Sequence, residues 1–416
     1  MNAGSRGQTP ISGHHIMTRR NVIFASAWVV AIVALGLVQR ALESQQPMVE
    51  APVFEVDPFW PRPLPNKWVL GNAIGVGVDS RDHVFIVHRQ DTMNEAENGA
   101  GTNPPTSECC KGAPPVLEFD PQGNLVNSWG GPGQGYVWPG SNHGISIDKN
   151  DNVWIGGNGT NDSHVLKFSH DGKLLMQIGR PNAVPLPAEA VKPGHTAGNS
   201  TSLEHFGRVA KVSLDNAANE AYVSDGYLNK RVAVIDMNTG KVKRFWGAYG
   251  NVPSDSNYGP YNPDAPLIPQ FRTPLHCAEP TNDGLVYVCD RPNDRIQVFQ
   301  KDGKFVKEVR IAPRTLGDGS VWDIAFSKDP AQKYLYLADG KNERIYVMDR
   351  QSLEILTQFG DGGRQPGQFF AVHSIATDSR GNIYTTETYE GKRLQKFVYK
   401  GMGRVPKVQG VVWPKK

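Results

Sequence analysis

Three histidines head three copies of one short pattern: His143-Gly-Ile-Ser-Ile-Asp148, His276-Cys-Ala-Glu-Pro-Thr281 and His373-Ser-Ile-Ala-Thr-Asp378. Three further copies alternate with these along the chain, and their first residues are Ile74, Ala210 and Trp322. An imidazole therefore recurs in every second copy. Three imidazoles converging on one point form the donor set of a three-histidine metal centre, which leaves a position open for water or substrate. Zinc suits that set best, with iron or copper as alternatives. A single histidine is more often structural than a ligand. The shared register of these three is what argues for a metal.

The pattern they head is a strand-turn-strand unit. First strands such as Ile74-Gly-Val-Gly-Val-Asp79, Ala210-Lys-Val-Ser-Leu-Asp215 and Trp322-Asp-Ile-Ala-Phe-Ser327 are followed, across a tight turn, by apolar second strands. These second strands include Val84-Phe-Ile-Val87, Leu285-Val-Tyr-Val288 and Tyr334-Leu-Tyr-Leu337. Third and fourth strands follow, as in Arg295-Ile-Gln-Val-Phe-Gln-Lys-Asp-Gly-Lys-Phe-Val306. The period of two, the Asn/Asp-Gly turns and the absence of helical periodicity predict an all-β chain. Four-stranded units repeated six times predict a six-bladed β-propeller, and the linker Phe359-Gly-Asp-Gly-Gly-Arg-Gln-Pro-Gly-Gln-Phe-Phe370 resembles the Gly-rich joint of NHL-type repeats. Pro52-Val-Phe-Glu-Val56 is expected to supply the outer strand of the last blade and close the ring. In such a ring alternate blades lie a third of a turn apart, so the three imidazoles point inward from three directions. The long insertions at 91–113 and 181–205 read as surface lids or flexible loops.

Second strands end on the face where first strands begin. That rim carries His88-Arg89, Asp225-Gly-Tyr227, Asp290-Arg291 and Glu387-Thr-Tyr389. Cationic, phenolic and acidic groups around a metal suit a carboxylated substrate and a proton transfer. Asp225 and Asp290 read as salt-bridge partners tying adjacent blades rather than as catalysts.

The motifs Val-His-Arg89, His143-Gly-Ile-Ser-Ile-Asp, Val-Ser-Asp-Gly-Tyr227, Pro-Leu-His276, Cys-Asp-Arg-Pro-Asn-Asp-Arg-Ile-Gln297 and Val-His373 occur in a telling order. Together they resemble peptidyl-α-hydroxyglycine α-amidating lyase, over residues 70–400. The resemblance implies zinc on His143, His276 and His373, Tyr227 as the base, and Arg89 and Arg291 as active-site arginines. It implies cleavage of the C–N bond of an α-hydroxyglycine to an amide and glyoxylate. A phenol needs a metal or guanidinium beside it to ionise near neutrality, which this constellation provides. The family's structural calcium would fall on the backbone carbonyls of Val76 and Ile145. The aspartate that completes that site is here Ser374, and the family cysteine after the tyrosine is Leu228. A non-catalytic NHL propeller binding a protein or small ligand is the rival reading. A lactonase-type hydrolase ranks third, since no Glu/Asp/Asn set heads the first strands.

The 416 residues, 39% hydrophobic and 20% charged with net charge +3, suit a large globular core. No basic run or basic-aromatic stripe marks a nucleic-acid partner, so the expected partner is a small-molecule or peptide substrate. Thr18-Arg19-Arg20 precedes an uncharged apolar run over 22–38, the pattern of an export signal or an uncleaved membrane anchor. The expected division is 1–50 for that segment and its linker, 51–403 for the propeller and 404–416 for a tail. The body is expected to be exported: periplasmic, secreted, or anchored on the outer side of the membrane. Of four cysteines, Cys277 and Cys289 face each other across the central hairpin and are placed to pair, while Cys109-Cys110 is a vicinal couple. Redox-inert or structural thiols are the plainer reading of all four.

Overall fold

All six second strands, among them Val84–Arg89, Glu220–Asp225 and Tyr334–Asp339, are buried along nearly their whole length. A strand covered on both faces favours apolar residues, and runs such as Val84-Phe-Ile-Val87 and Tyr334-Leu-Tyr-Leu337 meet that demand. The outermost strands, such as Leu125–Trp129 and Phe305–Arg310, are half exposed and mix apolar with polar residues. The result is six four-stranded sheets arranged as the blades of a propeller. The computed structural model describes Phe24, residues 27–28 and 30–35, and residues 47–414.

We number the blades from the N-terminus by their innermost strands: Asn72–Val78, Asn142–Ile147, Val209–Asp215, Leu275–Pro280, Asp323–Phe326 and Val372–Thr377. Successive innermost strands lie against one another, and the sixth lies against the first. Six buried apolar clusters among the described residues each join two adjacent blades. One, for example, sets Tyr287, Ile296 and Val298 of blade four against Leu335, Leu337 and Met348 of blade five. A blade alone leaves one apolar face uncovered, so stacking in a closed ring is what stabilises each.

Blade six is composite. Its sheet runs Met48–Asp57, Leu394–Pro406, Ile383–Glu387 and Val372–Thr377, so the strand predicted at 52–56 closes the ring. The chain beyond Pro406 turns back along blade five, where Gln358 N and Gly360 N bond to the carbonyls of Lys407 (3.0 Å) and Gly410 (2.8 Å).

The insertions are fastened rather than loose. Segment 91–113 contributes Lys111–Gly112, paired in parallel with Trp68–Val69, and Lys392 Nζ reaches its Thr92 carbonyl (3.0 Å) and Glu97 (2.6 Å). Segment 181–205 is held by the buried Arg231, which donates to the carbonyls of Ser200, Ser202 and His205. Arg231 is also ion-paired with Asp225, as Arg295 is with Asp290. These acids are structural partners as expected, but they bridge strands of one blade rather than adjacent blades. Both cysteine pairs are disulfides: Cys277–Cys289, at facing positions of adjacent strands, and Cys109–Cys110.

Thr18-Arg19-Arg20 and much of the apolar run at 22–38 lie outside the described residues. No helix among the described residues is long and apolar enough to cross a membrane.

Candidate metal and active site

In blades two, four and six the hydrogen-bond register slips by one within the first residues of the innermost strand. In blades four and six the extra residue is the histidine itself: Leu275 and Cys277 pair across while His276 does not, and Val372 and Ser374 pair while His373 does not. In blade two the slip falls on Gly144, at φ +66°, where an added Cβ would lie 2.5 Å from the Ala210 carbonyl. A β-bulge re-aims the side chain it carries. Blades one and three carry the same slip without a histidine. In blades two, four and six a bulge falls on or next to each of the three histidines, at the heads of the innermost strands.

The three rings meet there. Ring centres are 5.2 Å apart for His143 and His276, and 4.8 Å from each of these to His373. One nitrogen from each ring lies within 4.8 Å of the other two, and all three residues are buried. His143 Nδ1–H donates to the Ala210 carbonyl (2.6 Å), and His276 Nδ1–H to the Trp322 carbonyl. Each acceptor heads the innermost strand of the following blade. Those bonds fix the tautomer, leaving the Nε2 lone pairs free, which is how ligating histidines are commonly oriented. Burial drives the basicity of all three rings well below the ordinary imidazole value. Arg89 and then Arg291 add to this at His143, Arg291 and His143 at His276, and the other two imidazoles at His373. The rings are therefore neutral, as ligands must be.

Tyr227 follows the second strand of blade three, its backbone N–H held by the Arg208 carbonyl (3.0 Å). Its hydroxyl lies 2.9 Å from His143 Nε2 and 3.1 Å from His276 Nε2. A phenol has one proton to donate and here faces two acceptors. One Nε2 is thus left with a lone pair and no donor, and the buried His373 Nδ1 has no partner at all. A cation among the rings would satisfy what the protein leaves open, so the donor set fits a metal.

Two guanidinium groups flank the triad. Arg291 stacks on the Trp322 ring (4.1 Å), is ion-paired with Asp318 (2.9 Å) and places Nη1 3.5 Å from the Tyr227 hydroxyl. Arg89 donates Nε–H to the Asn142 carbonyl (3.0 Å) and Nη2–H to Asn158 Oδ1 (2.7 Å), both neutral acceptors. Burial pulls its pKa below the usual guanidinium value. It is a half-buried cation that forms no ion pair among the described residues, with Asp91 and Asp162 acting on it only at longer range.

The structure thus brings together all six sequence-predicted site residues. It removes His88 from the rim: the ring is buried, with Nδ1 accepting from Gly71 N–H (3.1 Å) and Nε2 on the Pro114 carbonyl (3.0 Å). Tyr389 does reach the rim, where its hydroxyl donates to Asp318 (3.3 Å). Sequence reasoning missed Asp318, which lies in a Gly-Asp-Gly turn outside the repeat register and so carries no positional signal. It also missed a buried network lower in the tunnel. There the Lys211 ammonium contacts Asp323 and Glu279 (2.8 Å each), and Ser374 donates to Asp323 (2.7 Å). Val76 and Ile145 line the same tunnel cavity of about 250 Å³, so Lys211 already carries a positive charge near the expected calcium position.

No family model matches the chain. It is 25% identical to rat (Rattus norvegicus) peptidylglycine alpha-amidating monooxygenase over 78% of its own length and 30% of that protein. It is 23% identical to a probable peptidyl-alpha-hydroxyglycine alpha-amidating lyase of Caenorhabditis elegans, over 61% of this chain and 63% of that one. NHL repeat-containing protein 3 of mouse (Mus musculus) is 22% identical over 84% of this chain and 85% of its own. The chain spans about a third of the length of the amidating monooxygenases it matches.

Proposed function

We propose that this propeller is an exported, metal-dependent lyase that cleaves the C–N bond of an α-hydroxyglycine or a closely related hydroxylated amide. The observation that carries the reading is the site's geometry: three neutral imidazoles, two with fixed tautomer, a phenol within hydrogen-bond reach of both, and a half-buried arginine that forms no ion pair among the described residues. Similarity to an amidating lyase supports it. The disulfide Cys277–Cys289 suits an oxidising compartment and supports export.

His143, His276 and His373 would hold the metal, zinc being the best match to three imidazoles. When bound it supplies Lewis acidity toward the substrate hydroxyl. Tyr227, with Arg291 beside its oxygen, is placed to take the hydroxyl proton. Arg89 offers the charge that orients the substrate carboxylate. The hydroxyl-bearing carbon becomes the aldehyde of glyoxylate as its C–N bond breaks. The nitrogen leaves with the bonding pair and regains a proton, giving the amide, with neither oxidant nor reductant required.

The test is glyoxylate release from a panel of N-acyl-α-hydroxyglycines alongside metal analysis. We expect about one transition-metal ion per chain, lost together with activity in His276→Ala. Protein that folds normally, holds no metal and releases no glyoxylate would refute the reading. In that event the reading that remains is a non-catalytic propeller binding a protein or small ligand.

A further inference from the structure

A second cavity, of about 410 Å³, opens beside the candidate site. Its walls include Lys230, Tyr258, Tyr261, Phe271, Arg272 and Asp318. Asp318 is shared: it forms part of this cavity's wall and also holds Arg291, whose Nη1 is 3.5 Å from the Tyr227 hydroxyl. Pro274 and Pro292 line the cavity as well, two residues before His276 and one after Arg291. The cavity is therefore linked to the histidine triad through Asp318, Arg291 and Tyr227. Its volume lies within the range of small-molecule sites, roughly 300–1,000 Å³.

Its chemistry is unusual in one respect. Lys230 is buried, and its ammonium donates to the Ser256 carbonyl (2.6 Å). Arg272 donates to Asn293 Oδ1 (2.8 Å) and to the Gly259 carbonyl. Every one of these acceptors is neutral. No ion pair among the described residues joins either side chain to a carboxylate. Asp290 is paired with Arg295 (2.7 Å) and takes only the backbone N–H of Arg272 (3.0 Å), and Asp318 is paired with Arg291 (2.9 Å). Asp255, bonded by the Ser200 hydroxyl and N–H, acts on Lys230 only at longer range. Burial lowers the pKa of Lys230 and of Arg272, as expected of cations lacking a full counter-charge. Around them stand a buried Phe271, a half-buried Tyr261 and an exposed Tyr258.

The geometry points to a substrate-arm subsite: this cavity takes an aromatic group bearing a carboxylate, on the acyl side of the molecule whose other end reaches the histidine triad. The aromatic walls receive the ring, and Lys230 and Arg272 the charge. The inference relies on the lyase reading only for which end of the molecule reacts.

The test separates the two. N-(4-carboxybenzoyl)glycine and N-(4-methylbenzoyl)glycine lack the α-hydroxyl and cannot be cleaved, so their binding to the full chain is measured by calorimetry at low salt. We expect the carboxylated compound to bind at least tenfold tighter, and the preference to fall to about twofold or less in Arg272→Gln. Tyr258→Ala, which alters an exposed ring, should weaken both compounds alike and covers the case in which Arg272→Gln fails to fold. Equal affinity of the two compounds for the wild-type chain overturns the subsite, as does a preference unchanged in Arg272→Gln or affinities unchanged in Tyr258→Ala. Absence of glyoxylate from the hydroxylated analogues would sink the lyase reading and leave the binding preference standing. Glyoxylate release without the preference would sink the subsite alone.

Discussion

Replacing Arg89 by methionine should separate activity from stability, and the structure fixes the direction of both. The guanidinium forms two hydrogen bonds to neutral oxygens, at 3.0 and 2.7 Å. Each such bond stabilises a fold by about 1 kcal/mol net. Against that stands the partial desolvation of a cation that forms no ion pair among the described residues, which costs on the order of 2 kcal/mol. Methionine keeps much of the apolar stem and removes the charge. The two terms offset, so folding stability should stay within about 1 kcal/mol of wild type, or a few degrees in Tm. Activity should behave otherwise. A charge-assisted contact to a substrate carboxylate contributes about 1.5–3 kcal/mol, and a bidentate grip contributes two. The expected loss in kcat/KM is about 10²- to 10⁴-fold at ~1.4 kcal/mol per tenfold. The assay pairs thermal unfolding with steady-state glyoxylate release, using the α-hydroxyglycine and its carboxamide analogue. Wild type should discriminate strongly between them, and Arg89→Met should not. If the variant keeps its discrimination, or unfolds far below wild type, Arg89 is a structural residue and the argument fails.

Three other outcomes follow from the same coordinates. His88 is fully buried and its pKa is pushed down to about 4 by burial, against about 6.5 in the unfolded chain. Below about pH 6.5 the unfolded state binds this proton and the native state does not, so stability falls as pH drops toward 4, by up to about 3 kcal/mol. His88→Gln should flatten that part of a urea-midpoint profile, and an unaltered profile would count against the assignment. Lys211→Met leaves the buried Asp323 and the half-buried Glu279 without their cation, where burial alone would lower the lysine pKa but the two carboxylates carry it upward. Breaking such a pair costs about 3–5 kcal/mol, readable as a lower denaturation midpoint at pH 7, and a midpoint equal to wild type contradicts the network. Converting Cys277 and Cys289 together to alanine opens a loop with a sequence separation of 12, worth about 3 kcal/mol by loop entropy. An unchanged Tm under non-reducing conditions would show that the pair is not oxidised in solution.

The propeller was legible because its repeat is dense: six strand pairs with turn residues between them leave few alternatives. The histidines were legible for the same reason, since register converts sequence spacing into direction once the number of blades is known. What register does not carry is the local slip on or next to each histidine. Gly144 hints at it, but nothing in Leu275-His276-Cys277 announces a bulge, because the slip is decided by pairing with a distant strand. Asp318 was invisible because it sits in a connection outside the repeat. Lys211 was overlooked because it occupies a polar position of Ala210-Lys-Val-Ser-Leu214, where alternation predicts a solvent-facing side chain, and only closing the ring buries it against Asp323 and Glu279. His88 misled for the opposite reason. Its register placed it on the rim, yet the neighbouring loop offered Gly71 and Pro114 as partners and drew it inward.

The composite sixth sheet has a consequence for how the molecule is made. Its outer strand, Met48–Asp57, precedes every other blade strand in the chain, and its partner, Leu394–Pro406, follows them all. The circle cannot be fastened until the last of the six blades has been made, and until then blades one and six each present an unmatched flank. Removing the opening strand should therefore cost more than one strand's worth of contacts, because it undoes the clasp on which the other five sheets rely.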